Sequence, residues 1–311
     1  MNKRTLIKSA VGLWAVCAIV VGVSRQLVPS MMPAWDLEKP KEIQPAGWVN
    51  KASANDLKSM PKLRCASAFI VDNKAGEIVF DQNAHEVRPI ASITKLLTAL
   101  VFLESGIDLN TTTRITNEDA HQSSKSRLRP GEEYTVRDLL YAALVSSDNR
   151  AARALSRSAG VSQAMFIARM NDKARDLDMD STHVVEPTGL SNENRSTAYD
   201  CAILVNASLK NHLIRHMTSC TEQTIRPLNR RRIVALSNTN RLLESDLKFL
   251  GAKTGYINDA GWCIAARALS PEGSDVTAVV LGARTANQRF ASLSSAFHWA
   301  FDVVSSAVTR N

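Results

Sequence analysis

The spacing of apolar residues along the chain changes near Ser92. Before it, Ser67–Asp72 and Glu77–Asp81 are short runs with β-branched and aromatic side chains, separated by the turn residues Asn73–Gly76. Two such runs around a short turn predict a β-hairpin. After Ser92, leucine and valine recur every three or four residues until Gly106. That spacing predicts a helix that passes through the core and ends at the glycine.

Helical spacing continues through the middle of the chain, and strand-like runs return towards its end. Thr135-x-x-Asp138 resembles a capping box at the start of one helix, and Thr285-x-x-Gln288 is predicted to cap a last amphipathic helix. Further helices are predicted at 151–158, 162–177 and 197–209, and strands at 251–254, 262–269 and 276–281. Strands near both ends with helices between them indicate an α/β domain with one sheet assembled from distant segments. The last helix is expected to cover one face of that sheet.

The first 26 residues have the pattern of an export signal. Basic residues precede an apolar run, Ser9–Val23, which suits a signal peptide better than the ~20 residues needed to span a bilayer. No clean A-x-A cleavage site follows the run, so 1–26 is predicted to be either a signal peptide or an N-terminal anchor. Both alternatives place the remaining chain in the periplasm, with membrane contact only through this segment. Residues 27–60 contain scattered prolines without a sustained period and are predicted to be a linker, which leaves 61–311 as the folded domain.

Composition and charge narrow the classes of partner. Hydrophobic residues make up 45% of the 311, which is enough for a substantial core, and the formal net charge is +8. Basic residues cluster at 125–129 and at 230–232. Such clusters bind nucleic acid, bind an anionic polymer such as cell wall, or only form a solvated face. Because no nucleic-acid motif or aromatic stacking pattern accompanies them, nucleic acid is not an expected partner.

Three short motifs carry the chemistry of this chain. Ser92-Ile93-Thr94-Lys95, Ser147-Asp148-Asn149 and Lys253-Thr254-Gly255 occur in that order, 55 and then 106 residues apart. Each motif is weak alone, since S-x-x-K also occurs at 59–62 and at 245–248. Together, in this order, they match the S-x-x-K, S-D-N and K-T-G set of serine acyl-transfer enzymes.

Ser92 and Lys95 form a candidate nucleophile and base. At a spacing of three residues they share one face of a helix, and a serine hydroxyl needs a neighbouring base at neutral pH. Lys95 can accept a proton only when it is neutral, and burial together with a second nearby cation would lower its pKa. The backbone N–H of Ser92 at the start of the helix is a candidate oxyanion donor. For an arbitrary S-x-x-K, an N-cap serine and a solvated lysine are the commoner explanation.

The other two motifs are predicted to complete the site. Ser147 and Asn149 lie between two predicted helices, where a hydroxyl can relay a proton to a leaving amine and an amide can hold Lys95 and the substrate. Lys253 and Thr254 fall on a predicted strand, where they can bind a substrate carboxylate. Gly255 allows a peptide backbone to approach the strand edge, and the N–H of Tyr256 is the second candidate oxyanion donor. The plainer alternatives are a capping serine at a helix break and a basic residue that protects a strand edge.

The segments around these motifs resemble the low-molecular-weight penicillin-binding proteins of the D-alanyl-D-alanine endopeptidase type. The resemblance extends from about residue 64 to about residue 300 and is carried by Val87–Lys95, Ser126–Arg129, Ala143–Ala152, Glu186–Ser191, Asn238–Asn240 and Lys253–Tyr256. It implies a serine β-lactamase and penicillin-binding-protein-like transpeptidase fold, with an antiparallel sheet flanked by helices plus a helical lobe. It also implies cleavage of D-alanyl bonds in peptidoglycan stem peptides, without a cofactor, and covalent inhibition by β-lactam antibiotics.

By the same resemblance each motif residue has a role. Ser92 is the acylated nucleophile and Lys95 its base, Ser147 and Asn149 act as relay and holder, and Lys253 with Thr254 binds the substrate carboxylate.

Three alternatives remain from the sequence. A class A-type β-lactamase needs a glutamate in an E-x-x-L-N segment, and the nearest stretch, Glu186–Ser191, has the wrong spacing and no asparagine. A non-catalytic β-lactam-sensing module would be acylated but would not turn over peptide. A metalloenzyme is disfavoured because the six histidines are scattered and only His212 and His216 share helical spacing, so no metal is expected.

The cysteines after the predicted signal allow two outcomes. They are Cys65, Cys201, Cys220 and Cys263, and an oxidising compartment permits disulfides. A turn after the 197–209 helix could bring Cys220 near Cys201 and allow one bridge. The favoured alternative is four free, buried thiols.

Overall fold

The fold is organised around one six-stranded sheet. A computed structural model describes residues 48–50, 59–121, 123 and 126–308; the predicted signal or anchor 1–26 and most of the linker 27–60 lie outside them. The sheet has the order β1-β3-β2-β12-β11-β10, with strands β1 (Val49–Asn50), β2 (Ser67–Asp72), β3 (Glu77–Gln82), β10 (Lys248–Ile257), β11 (Gly261–Leu269) and β12 (Asp275–Ala283). Every pairing in it is antiparallel except the parallel pair of β1 with β3. The first long strand, β2, therefore pairs with the last strand, β12, as the sequence predicts for a sheet built from distant segments.

Both faces of the sheet are covered. On β2, Phe69 and Val71 pack into the larger apolar cluster with the helical lobe, whereas Ala68 and Ile70 pack into the smaller one with the C-terminal helix. Side chains alternate between the faces of a strand, so a strand buried on both faces is apolar at every position. This explains why Ser67–Asp72 is a continuous run and not an alternating pattern.

Seven α-helices surround the sheet in the described residues. They are α1 (Thr94–Glu104), α2 (Val136–Leu144), α3 (Asn149–Arg157), α4 (Gln163–Asp176), α5 (Ala198–Lys210), α6 (His212–Ser219) and α7 (Ala286–Val308). Thr135 caps α2 by accepting a hydrogen bond from the Asp138 N–H at 3.1 Å, which confirms the predicted capping box. Thr285 likewise accepts from the Gln288 N–H at 3.1 Å at the start of α7.

Short elements complete the chain. They are the 3-10 turns Ala91–Ile93 and Arg241–Glu244 and the paired strands β4 (Arg88–Pro89) with β7 (Arg195–Ser196), β5 (Thr112–Arg114) with β6 (Glu133–Thr135), and β8 (Glu222–Ile225) with β9 (Val234–Ser237). β1 falls inside the predicted linker, and Trp48 next to it packs against Phe69 with ring centroids 5.4 Å apart. Folded contacts therefore begin before residue 61. In the described part of the chain, no helix combines the length and apolar character that a membrane crossing requires.

The four cysteines in the described residues are free. Cys201 and Cys263 are buried, whereas Cys65 and Cys220 are half-buried. The Cys201–Cys220 bridge is thus not present, and the favoured alternative of free thiols holds, although two of them are less buried than expected.

Candidate active site

Ser92 lies in a strained turn that two glycines shape. Ala91, just before it, has φ +48°, which is rare for a residue with a Cβ. A Cβ on Gly189 would lie 1.9 Å from the Ala91 carbonyl oxygen, and a Cβ on Gly255 would lie 2.9 Å from the Ser92 nitrogen. Both glycines are therefore required for the backbones to approach the nucleophile. The sequence analysis expects Gly255 to make room for a substrate backbone. In the structure, the backbone that lies against Gly255 and leaves no room for a side chain is the protein's own segment Ile90–Ser92.

Lys95 is buried and directed at the nucleophile. It lies in the first turn of α1 with 1% of its surface exposed, and its Nζ is 2.8 Å from Ser92 Oγ. The same Nζ donates to Asn149 Oδ1 and to the Thr188 carbonyl oxygen, each at 2.6 Å. Burial lowers the Lys95 pKa from 10.5 to about 7, although the carboxylates of Glu186 and Asp148 oppose that change. Two fixed acceptors and the Ser92 hydroxyl leave this amine poised to exchange a proton with the serine.

The S-D-N segment joins α2 to α3. Ser147 has φ +58°, which turns its hydroxyl towards Lys253, whose Nζ donates to Ser147 Oγ at 2.7 Å. Asn149 is the first residue of α3 and holds Lys95. Asp148 points away from both, since it caps α3 through the Ala151 N–H at 3.1 Å. The three side chains of the motif therefore make contact with three different groups.

The K-T-G segment lies on β10, at the edge of the sheet. Lys253 pairs in register with Ala265, which faces the helical lobe, so the lysine is directed towards Ser147. It is 1% exposed, and burial, then the charges of Lys95 and Arg289, lower its pKa well below 10.5. A substrate carboxylate beside Lys253 would supply the missing counter-charge and favour its protonated form.

Thr254 and Tyr256 line the outer part of β10. Thr254 Oγ1 donates to Thr239 Oγ1 at 2.6 Å, which connects the strand to the Asn238–Asn240 segment. Tyr256 is 44% exposed, and its ring stacks on Trp262 with centroids 4.2 Å apart. The structure thus brings all eight sequence-predicted residues to one site, from Ser92 and Lys95 on one side to Thr254 and Tyr256 on the other.

The sequence did not indicate that Glu186 and Thr188 hold Lys95 in place. Glu186 accepts hydrogen bonds from the Thr188 N–H at 2.8 Å, the Thr188 hydroxyl at 2.6 Å and the Gly189 N–H at 2.6 Å. These bonds fix the loop that presents the Thr188 carbonyl to Lys95. The Glu186 carboxylate is therefore engaged by hydrogen bonds within its own loop. The resemblance includes the segment Glu186–Ser191, but its residue types do not indicate that it supports Lys95.

The fold and the site together define an active-serine enzyme of the penicillin-binding-protein class. A model of the D-alanyl-D-alanine carboxypeptidase family matches residues 54–285. The chain belongs to this family of serine peptidases, which confirms the resemblance seen in the sequence.

Individual relatives agree with that assignment. The chain is 35% identical to a D-alanyl-D-alanine endopeptidase of Pseudomonas aeruginosa over 76% of this chain and 77% of the relative. It is also 35% identical to a D-alanyl-D-alanine endopeptidase of Escherichia coli, over 81% of this chain and 82% of the relative. Among solved structures, a Streptomyces DD-transpeptidase superposes with a TM-score of 0.74 at 26% identity, covering 78% of this chain and 99% of the other. The expected fold class, an α/β penicillin-binding-protein fold, is therefore confirmed.

Proposed function

We propose that this enzyme cleaves D-alanyl bonds in peptidoglycan stem peptides through an acyl-enzyme on Ser92. The observation that carries the proposal is the contact of 2.8 Å between the buried Lys95 amine and Ser92 Oγ. With its pKa lowered to about 7, Lys95 is substantially neutral at physiological pH and can accept the serine proton. The Ser92 oxygen then attacks the carbonyl carbon of the D-alanyl residue.

Acylation is completed by expulsion of the amine. The N–H groups of Ser92 and Tyr256 stabilise the negative oxygen of the tetrahedral intermediate. When the carbon–nitrogen bond breaks, the proton that Lys95 took from Ser92 passes to the leaving amine through the hydroxyl of Ser147, which is in contact with Lys253. Lys95 is then neutral again. A water molecule later attacks the ester, Lys95 accepts its proton and returns it to the Ser92 oxygen, and the shortened peptide leaves with a free carboxylate.

Lys253 and Thr254 are the proposed binding groups for the carboxylate of the leaving residue. β10 is the last strand of the sheet, so an extended peptide can pair along its outer edge, and Gly255 lets the strand lie against the backbone of Ile90–Ser92. A β-lactam carries a carboxylate beside a strained amide and would acylate Ser92 in the same way. Its ring keeps the amine attached, so the acyl-enzyme persists and the antibiotic acts as a covalent inhibitor.

We further propose that the enzyme acts in the periplasm on the cell wall, exported by residues 1–26 or anchored by them, with 61–311 as the catalytic domain. The basis is the export pattern of the sequence together with relatives named as D-alanyl-D-alanine endopeptidases. Since the site residues need no metal or organic group for these steps, no cofactor is proposed. The names of these two relatives favour cross-linked peptides over terminal D-alanine as the substrate.

One experiment separates the candidate functions. The purified protein and its Ser92→Ala variant are incubated with a fluorescent penicillin and with a D-alanyl-D-alanine peptide, and label and product are followed over time. Persistent label with peptide product, both lost in Ser92→Ala at an unchanged melting temperature, is the expected result. Rapid loss of label would indicate a β-lactamase, and label without product would indicate a sensor. Labelling of the Ser92→Ala variant would contradict the assigned nucleophile.

The preferred substrate is tested separately. Cross-linked muropeptide dimers and pentapeptide monomers are assayed at equal concentrations. We expect faster cleavage of the dimers, and a strong preference for the monomers would instead make this enzyme a carboxypeptidase.

A further inference from the structure

Two basic segments that are about 100 residues apart in the chain meet on one surface. The first contains Arg127 and Arg129, and the second is the turn between β8 and β9. Arg232 in that turn pairs with Glu132 at 2.6 Å and donates to the Arg127 carbonyl oxygen at 2.6 Å. Asn229 accepts from the Glu133 N–H at 3.1 Å and donates to the Gly131 carbonyl oxygen at 2.9 Å. These contacts hold the two segments side by side.

The meeting of the segments creates an excess of positive charge, which we call the arginine surface. Its members, all exposed, are Arg127, Arg129, Arg226, Arg230 and Arg231. Within residues 48–50, 59–121, 123 and 126–308, no ion pair connects any of them to a carboxylate.

The acidic residues nearby are engaged or distant. Glu132 is buried and neutralised by Arg232, and Glu133 pairs with Arg114 at 2.6 Å. Glu222 on β8 pairs in register with Ser237, at the opposite end of the hairpin from the basic turn. The arginine surface is therefore open to an external anion.

Two short connections link the arginine surface to the active site. Ser126, next to Arg127, donates its hydroxyl hydrogen bond to Asp148 Oδ2 at 2.6 Å, and Asp148 lies between the two site residues of the S-D-N motif. On the other segment, β9 ends two residues before Thr239, which accepts from Thr254. A polymer that reaches the cleft would pass beside these arginines.

We propose that the arginine surface binds the free carboxylates of the peptidoglycan polymer and holds the insoluble substrate at the cleft. This rests on the proposed function, since the polymer that the site cleaves is the polyanion brought to this surface. Guanidinium groups pair with carboxylates in a bidentate geometry. Single exposed pairs are weak, but several on one polymer act together and raise the effective concentration of substrate.

The test separates polymer binding from catalysis. Retention on purified sacculi is measured by co-sedimentation in the Ser92→Ala background, so that the polymer is not digested. Arg226, Arg230 and Arg231 are replaced by glutamine, because none of their side chains bonds the neighbouring segment, unlike those of Arg127 and Arg232. The matched control replaces Lys62, Arg64 and Arg169 by glutamine, which removes the same charge from exposed positions elsewhere.

We expect the arginine triple variant to lose about ten-fold in retention at low salt, because several weak pairs multiply, and the control variant to change little. Raising the salt concentration should release the parent protein. Sacculi whose carboxylates have been amidated should retain neither the parent protein nor the control variant. With Ser92 restored, the arginine triple variant should hydrolyse a small D-alanyl-D-alanine peptide at the normal rate, which also reports correct folding.

Several outcomes would overturn the proposal. Equal retention of the arginine triple variant and the parent, an equal loss in the control, or full retention on amidated sacculi would each do so. If the arginine triple variant were retained on sacculi like the parent but no longer bound vesicles of anionic phospholipid, the surface would be assigned to a membrane instead. A failure of the proposed function would appear differently, as absent hydrolysis of the small peptide by the parent enzyme.

Discussion

The rate of acylation should depend on pH through Lys95. Burial lowers its pKa from 10.5 to about 7. At pH 7 about half of the molecules then carry a neutral amine, against about 0.03% for an unshifted lysine, a gain of about 1,600-fold or about 4 kcal/mol. Because only the neutral amine accepts the Ser92 proton, the rate should rise about 30-fold from pH 5.5 to 8.5 and level off above pH 7.5.

The assay is the second-order rate constant for labelling by a fluorescent penicillin, measured by rapid mixing at constant ionic strength. A rate that does not change between pH 5.5 and 8 would refute the role of Lys95 as base. A rate that still climbs ten-fold per pH unit beyond pH 9 would refute the lowered pKa. Lys95→Arg supplies the matched control, because arginine retains the charge but does not release its proton, and its labelling should be lost.

The Glu186→Gln variant tests whether the charge of Glu186 changes the pKa of Lys95. The Glu186 carboxylate raises the Lys95 pKa against the larger effect of burial. Removing that charge, with little change in shape, should shift the rising part of the pH profile to lower pH. A shift to higher pH, or none, would mean that the carboxylate does not act on Lys95.

Further predictions concern binding, packing and redox state. Lys253→Ala should weaken capture of penicillin and peptide, seen as a raised KM, more than it slows the chemical step; an unchanged KM would contradict its role. Gly189→Ala should lower the free energy of unfolding, measured with denaturant, by about 2–5 kcal/mol and abolish labelling, because its Cβ would overlap the Ala91 carbonyl. The control Gly76→Ala, also at positive φ but with open space around it, should lower it by about 1 kcal/mol. Mass spectrometry of the non-reduced protein should find Cys201 and Cys220 alkylated, and a linked peptide pair would contradict the free thiols.

The local signals in the sequence predicted most of the elements. Thr135 and Thr285 mark helix starts by capping chemistry, and Gly106 follows the end of α1, so a short window of sequence was sufficient. The S-x-x-K pair was also readable, because its two members are one helical turn apart. The distribution of strands along the chain predicted one sheet built from distant segments, but it did not predict which strands are neighbours.

Contacts between distant segments were not readable in the same way. The Thr188 carbonyl that binds Lys95 is a backbone group and leaves no mark on residue type. Gly189 and Gly255 are required by the backbone of Ala91 and Ser92, and no pattern in the sequence connects them. The pairing of Arg232 with Glu132 likewise joins positions 100 residues apart. Such contacts follow from the packed fold and not from spacing along the chain.

The pairing of β2 with β12 has a consequence for when activity appears. β2 lies before the nucleophile in the chain and can pair with β3 early, but it pairs with β12 only after the chain has been made as far as residue 283. Lys253 and the Gly255 backbone likewise reach Ser92 late in synthesis, and contacts of such long sequence separation form slowly. A partly synthesised or truncated chain would contain Ser92 and Lys95 yet remain inert. An incomplete molecule would therefore not cleave peptide.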